Sequence, residues 1–367
     1  MSKGRGPDHY RALVPQVPPS TGSGRRFNKL RERPTVRTTD YHTGGEPFRI
    51  VVEPPVEIPG TDVADRRARA IGDTDADALR RFLGFEPRGH ADMYGGFLVP
   101  PDDDRAHLGV LFWHKDGFST ACGHGTIALG AWAVESGRVP APDDGVTDVV
   151  VDVPSGRVTA RVRTVGGRVA DVEFVNVASY VVETGIEVAT AYGPVQVDVA
   201  YGGALYASLD VARVGLRVEP ASITELIALG REVKRALVDH PAARHASDER
   251  LSGIYGTILF EDLGTLAEGP HQRNVTIFAD GEVDRSPCGS GTASRVASLV
   301  ASGALGRDQV LTHDSIVGSR FVARVLGETT ADGYAAVLPS ITGTAHRTGE
   351  HVFVTDPDDT LPGFVLR

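Results

Sequence analysis

Cys122 and Cys288 are the only cysteines in this chain of 367 residues, and each sits in a copy of one short pattern. The first copy reads Ala121-Cys122-Gly123-His124-Gly125-Thr126 and the second Pro287-Cys288-Gly289-Ser290-Gly291-Thr292. Each is followed by an apolar, alanine-rich stretch that ends at a glycine, Gly137 or Gly303. Superposed without a gap, the copies also match at Ala131/Ala297, Val134/Val300 and Ser136/Ser302. Equivalent slots in a repeat point to one thiol from each half of a duplicated fold. Two thiols facing one pocket can move a proton across a carbon, one removing it and the other supplying it on the opposite face.

The residues around each cysteine suit that chemistry. Glycines let backbone approach a ligand closely. The first-turn N–H groups of a helix lack intrahelical partners and carry partial positive charge, so a small carboxylate docks there. The same field is expected to lower a cysteine pKa from its reference of about 8.5. Two such motifs facing each other would grip a carboxylate from both sides. Asp284, four residues before Cys288, either binds a substrate ammonium or serves its turn. His124 orients a carboxylate, tunes the thiol, or is structural. His90 and Asp92 either line the pocket or close their loop. The bland alternative makes both cysteines small buried residues at helix starts. Neither Gly-x-Gly matches a nucleotide fingerprint. Cys122 and His124 lack a second cluster at ligand spacing, so no metal site is expected.

Elements that would position these motifs are readable. Residues 1–35, with Pro15, Pro18, Pro19 and a run of Ser, Gly and Arg, read as a flexible leader. A strand at Phe48–Val52 precedes a helix over 62–84, then strands at 97–99 and 108–113 and the first cysteine helix. Residues 147–201 alternate short β-branched runs with glycine, as a meander does. A second long helix is expected over 219–239, opened by Pro220. Strands at 254–260 and 274–278, the second cysteine helix and strands near 310–312, 320–325 and 335–338 follow. The order strand, helix, strand, cysteine, helix occurs twice, as in a duplicated α+β unit. The lobes are assigned as 36–192 plus 345–367 and 193–344.

Composition sets the class. A hydrophobic fraction of 41% with 23% charged residues fits a globular core. The net charge of −10 argues against nucleic acid as a partner. No run of about 18 apolar residues offers a membrane span. Two cysteines in so long a chain fit a reducing compartment, and a cytoplasmic enzyme is expected.

At these residues the chain resembles the proline racemase superfamily. The likeness rests on Asp40-Tyr41-His42-Thr43-Gly44-Gly45-Glu46-Pro47, Gly89-His90-Ala91-Asp92-Met93-Tyr94-Gly95, both cysteine motifs, Tyr201-Gly202-Gly203 and Asp284-Arg285-Ser286-Pro287-Cys288-Gly289. The resemblance implies a diaminopimelate-epimerase-like α+β fold, two pseudosymmetric lobes each wrapped around a central helix. It implies cofactor-independent chemistry on proline or hydroxyproline. Carried over, Cys122 and Cys288 are the acid/base pair, backbone at Gly123, His124, Gly289 and Ser290 holds the carboxylate, and Asp284 takes the ring ammonium; His90 is a further candidate contact. Lobed folds of this kind often pair, which admits a homodimer.

The superfamily includes proline racemases, hydroxyproline 2-epimerases and trans-3-hydroxy-L-proline dehydratases. The stretch Phe112–Thr120, Gly203-Ala204 and the tail Gly343–Gly349 resemble the dehydratases. Many of those carry Thr where this chain has Cys288. Two-way proton transfer between thiols therefore ranks first, and dehydration second. A thiol–disulfide switch lacks a Cys-x-x-Cys motif, and a non-enzymatic binding role would leave both thiols without a purpose.

Overall fold

The computed structural model describes residues 35–356, 358, 359, 361 and 363–366. All of the expected leader except Thr35 lies outside the described residues. The helices are α1 (Val63–Gly72), α2 (Thr74–Gly84), α3 (Gly123–Glu135), α4 (Ile223–Ala236) and α5 (Gly289–Ala301).

Helix α3 is apolar all round, and every residue from Gly123 to Ala133 is buried. Such a helix has no face to give to water and must be enclosed. A curved sheet does so. Strand 345–353 pairs with 36–43, which pairs with 46–51. The sheet continues through 95–99, 108–114, 145–153, 156–165 and 168–175.

Helix α5 is buried almost as fully, from Gly289 to Ala297. Its enclosure closes into a ring. Strand 179–190 pairs with 193–201, then 205–210, 254–266, 269–278, 310–315, 320–331 and 334–343, which returns to 179–190. Strand 334–343 also pairs with 168–175, so it joins the two enclosures. Strands 46–51/95–99 and 108–114/145–153 are parallel pairs in the first half, as 205–210/254–266 and 269–278/310–315 are in the second. That correspondence is the duplication in three dimensions. Helices α1 and α2 pack outside the first enclosure, against a core that includes Leu111 and Trp113, and α4 outside the second through Leu226, Leu229 and Val233.

The helix expected over 62–84 is two helices, because Gly72-Asp73 breaks it. Glycine is a poor helix former, and the Asp73 carboxylate caps α2 by accepting the N–H groups of Asp75 and Ala76. The helix expected over 219–239 is α4, shorter at both ends and preceded by a 3-10 turn at Pro220–Ser222. Strands Leu205–Asp210 and Ala345–Phe353 were not foreseen. Among the described residues no helix is long and apolar enough to cross a membrane.

Candidate active site

The two central helices meet N-terminus to N-terminus. A Cβ placed on Gly123 would lie 2.6 Å from the Cα of Gly289, and one on Gly289 would lie 2.5 Å from the Cα of Gly123. Only glycine permits that approach. The exposed N–H groups of both first turns therefore converge, and two positive helix poles face one another. An anion between them relieves that repulsion and satisfies the N–H groups.

Each cysteine is the residue just before its helix. Cys122 is extended, with φ −154°, and its sulfur accepts the Gly125 N–H at 3.2 Å. The Thr126 hydroxyl donates to the Cys122 carbonyl at 2.8 Å. Cys288 has φ +64°, a backbone region that side-chain-bearing residues rarely occupy. Its N–H donates to Ser286 Oγ at 3.0 Å, while the Thr292 hydroxyl donates to the Pro287 carbonyl at 3.0 Å. The threonine of each repeat thus pins the chain that delivers the sulfur.

Both sulfurs border one small cavity, together with Gly123, His124, Gly289 and Ser290. Asp284 lines it too, and Tyr94, Tyr206, Tyr255 and Phe278 supply aromatic walls. The space between these groups is about 10 Å³, on the order of one water.

Burial dominates the electrostatics. It pushes the thiol of Cys122 well above its ordinary value; the Gly125 N–H opposes this, and the charges of Asp284, Cys288 and Glu46 add to it. Burial also raises the Cys288 thiol, again with Asp284 adding to the effect. The expected lowering by the helix field is therefore outweighed, because a thiolate loses its hydration in a sealed site. Burial pushes His124 down, so its imidazole is neutral at pH 7, with Nδ1 3.4 Å from Cys122 Sγ.

Asp284 ends the short strand Glu282–Asp284, and its Oδ1 accepts both the N–H and the hydroxyl of Ser286, at 2.8 and 2.7 Å. The turn role and a place at the cavity wall thus coexist. Behind it lies Glu46, fully buried, whose Oε2 accepts the Arg285 N–H at 2.7 Å and whose Oε1 has no hydrogen-bond partner among the described residues. Burial, with Asp284 next, raises its carboxyl well above the ordinary carboxylate range. Glu46 lies in the Asp40–Pro47 stretch, and its place beside Asp284 was missed by sequence reasoning.

His90 is not brought to the cavity. It is exposed, and its Nδ1 accepts the Asp92 N–H at 3.2 Å. Its loop instead delivers Asp92, which is buried and accepts the Val283 N–H and the Arg285 guanidinium, at 3.1 and 2.7 Å. Asp92 is a tie between the lobes beside Asp284. Sequence reasoning also missed Tyr206, whose hydroxyl lies 2.7 Å from Ser290 Oγ and 3.8 Å from Cys288 Sγ. Its signal was the preceding Gly202-Gly203, since a Cβ on Gly202 would meet the Ser290 carbonyl at 2.3 Å. Both cysteines are free thiols. Among the described residues no three His, Cys, Asp or Glu side chains gather as a metal site.

Comparison with known proteins gives the geometry its setting. The family model described as proline racemase matches residues 38–365. A trans-3-hydroxy-L-proline dehydratase of Azospirillum brasilense is 43% identical over 91% of this chain and 98% of its own length. A 3-hydroxyproline 2-epimerase of Burkholderia multivorans is 42% identical over the same shares. Among solved structures, a hydroxyproline epimerase from Agrobacterium vitis with bound trans-4-hydroxy-L-proline superposes with a TM-score of 0.84. It is 30% identical, with 90% of this chain and 96% of that one covered. A Bacillus anthracis phenazine biosynthesis protein of the PhzF family, 11% identical with a TM-score of 0.54, shares the fold alone. The α+β architecture, the paired cysteine motifs and these matches agree: the chain belongs to the proline racemase family.

Proposed function

We propose that this protein epimerises hydroxyproline at its α-carbon, without a cofactor, by proton transfer between Cys122 and Cys288. The observation that carries this reading is the pair of sulfurs bordering one cavity at two abutting helix N-termini. The substrate carboxylate sits against the first-turn N–H groups, and the ring ammonium faces Asp284. That ammonium offsets one of the charges that raise both thiols, which favours a thiolate once substrate is bound. The Cys122 thiolate removes the α-proton from one face, and the Cys288 thiol delivers a proton to the other. The reverse reaction exchanges the roles. The converging N–H groups stabilise charge that spreads into the carboxylate as the α-proton leaves. The work needs reduced thiols, which fits a cytoplasmic setting.

Dehydration of trans-3-hydroxy-L-proline is the second reading, favoured by the names of several relatives. Cys122 again takes the α-proton, and the freed pair forms a C2=C3 double bond. The C3 hydroxyl leaves with a proton from the Cys288 thiol as water.

A panel of proline, 4-hydroxyproline and trans-3-hydroxy-L-proline in deuterated water separates the readings. Epimerisation yields the C2 epimer carrying α-deuterium. Elimination yields a product trapped by o-aminobenzaldehyde or reduced to proline. Absence of the C2 epimer from every substrate would overturn the proposal, and elimination in its place would establish the second reading. Replacement Cys288→Thr is expected to abolish epimerisation and to retain any elimination.

A further inference from the structure

Three hydroxyls outside the acid/base pair form one connected line, of which Tyr94 and Tyr255 belong to residues that wall the cavity and Ser119 lies outside its lining. The hydroxyls of Tyr94 and Tyr255 are 2.9 Å apart, and Tyr94 Oη is 2.5 Å from Ser119 Oγ. Ser119 in turn donates to the Ala121 carbonyl at 3.4 Å, one residue before Cys122. Each hydroxyl has a single proton to give. With the Ser119 proton on that carbonyl, Tyr94 donates to Ser119 and Tyr255 donates to Tyr94. Every proton in the line is then used, and the Tyr255 oxygen keeps acceptor capacity at the cavity.

The ring that carries this oxygen is held on several sides. It stacks on Phe278, with centroids 5.7 Å apart and planes 12° apart, and meets the edge of Tyr206. Its backbone carbonyl accepts Lys234 Nζ at 3.0 Å. Tyr255 also lines a separate cavity of about 400 Å³ between the lobes, so it is the partition between that space and the sulfurs. An aromatic wall alone would be enough for an unsubstituted ring. A fixed hydroxyl at the end of a fully used donor line suits a ring that brings its own hydroxyl into a site with no room for its hydration water.

We infer that Tyr255, positioned by Tyr94 and Ser119, is the receptor for the substrate's ring hydroxyl and sets the preference for hydroxylated rings over proline. This rests on the reading of the cavity as the site of α-proton transfer. A buried acceptor matched to a substrate hydroxyl discriminates strongly against the analogue that lacks it.

The test compares kcat/KM for a hydroxyproline and for proline, alongside α-deuterium exchange, in wild type, Tyr255→Phe and Ser119→Ala. The expected result is a wild-type preference for the hydroxylated ring that falls about tenfold or more in Tyr255→Phe. The loss should fall chiefly on the hydroxylated substrate and exceed any loss of exchange on proline about tenfold. Ser119→Ala, which leaves the cavity wall intact, should lower the preference in the same sense by less. Equal losses on both rings, or an unchanged preference, would overturn the inference. If Tyr255→Phe does not fold, an unchanged preference in folded Ser119→Ala overturns it. If the wild type exchanges no α-proton on either ring, the proposed function itself fails, a result distinct from lost selectivity.

Discussion

The two cysteine ends are near copies in backbone and unlike in chemistry. Helices α3 and α5 have equal length, and each ends in a right-handed serine, Ser136 or Ser302, before a glycine at φ +71° or +74°. At the sulfurs the likeness is partial. Each sulfur has the N–H of the glycine three residues on, Gly125 or Gly291, acting on it, but Cys122 is relaxed and extended and stands beside the neutral imidazole of His124. Cys288 is held at positive φ and faces the hydroxyl pair of Tyr206 and Ser290. Duplication thus supplies two sulfurs, and divergence gives one a proton-accepting neighbour and the other hydroxyl neighbours.

The comparison breaks most sharply if the sulfurs are removed singly. Cys122→Ser and Cys288→Ser are each expected to cost at least 10²–10⁴ in kcat, because each proton transfer lacks its only partner. Stopped-flow or polarimetric assays would show it, and near-normal turnover in either variant would end the assignment. Next in size is Gly123→Ala, whose methyl would fall 2.6 Å from Gly289 Cα. Forcing the helix ends apart is expected to cost about 1–3 kcal/mol of stability and about 10²-fold in rate. Calorimetry and kinetics on one sample test both, and an unperturbed variant would mean the ends do not abut.

The pH profile sharpens the electrostatic side. Both thiols lie above their ordinary value because of burial, so the form with one thiolate is scarce at neutral pH. Below the first thiol pKa, kcat/KM should rise about tenfold per pH unit. The sign for stability is opposite. The unfolded chain releases thiol protons near pH 8.5 that the folded chain retains, so these groups contribute stability that is lost as pH rises above that value. A flat kcat/KM from pH 6 to 8 would show that a thiolate is already present. Smallest is Glu46→Gln. Burial and Asp284 raise this carboxyl, which favours the neutral form that an amide mimics, so activity should stay within about threefold. A collapse of activity would show Glu46 to be an ionised partner.

Much of this was legible in the chain itself. The repeat announced itself because both copies need glycine at the same slots, and Gly123 and Gly289 prove to be the point of contact. The strand–helix–strand order was readable from period and turn residues. Strand Ala345–Phe353 escaped because its side chains are mostly exposed and polar, and pairing with 36–43 rather than an apolar face holds it. Tyr206 and Tyr255 escaped because they come from separate strands, where an isolated tyrosine looks like ordinary core, and Tyr94, just before strand 95–99, lay in a motif that gave its hydroxyl no partner. His90 was misplaced for a local reason. Its motif is an accurate marker, but the side chain that turns inward from it is Asp92.

Isotope partition early in turnover tests the two-sulfur claim most directly. With L-hydroxyproline in deuterated water and less than about a tenth converted, the C2 epimer should carry one α-deuterium while recovered substrate keeps its protium, since the sulfur that takes the proton is not the one that returns it. Deuterium appearing equally in recovered substrate and product would mean that one group serves both faces, and the paired role of Cys122 and Cys288 would fall.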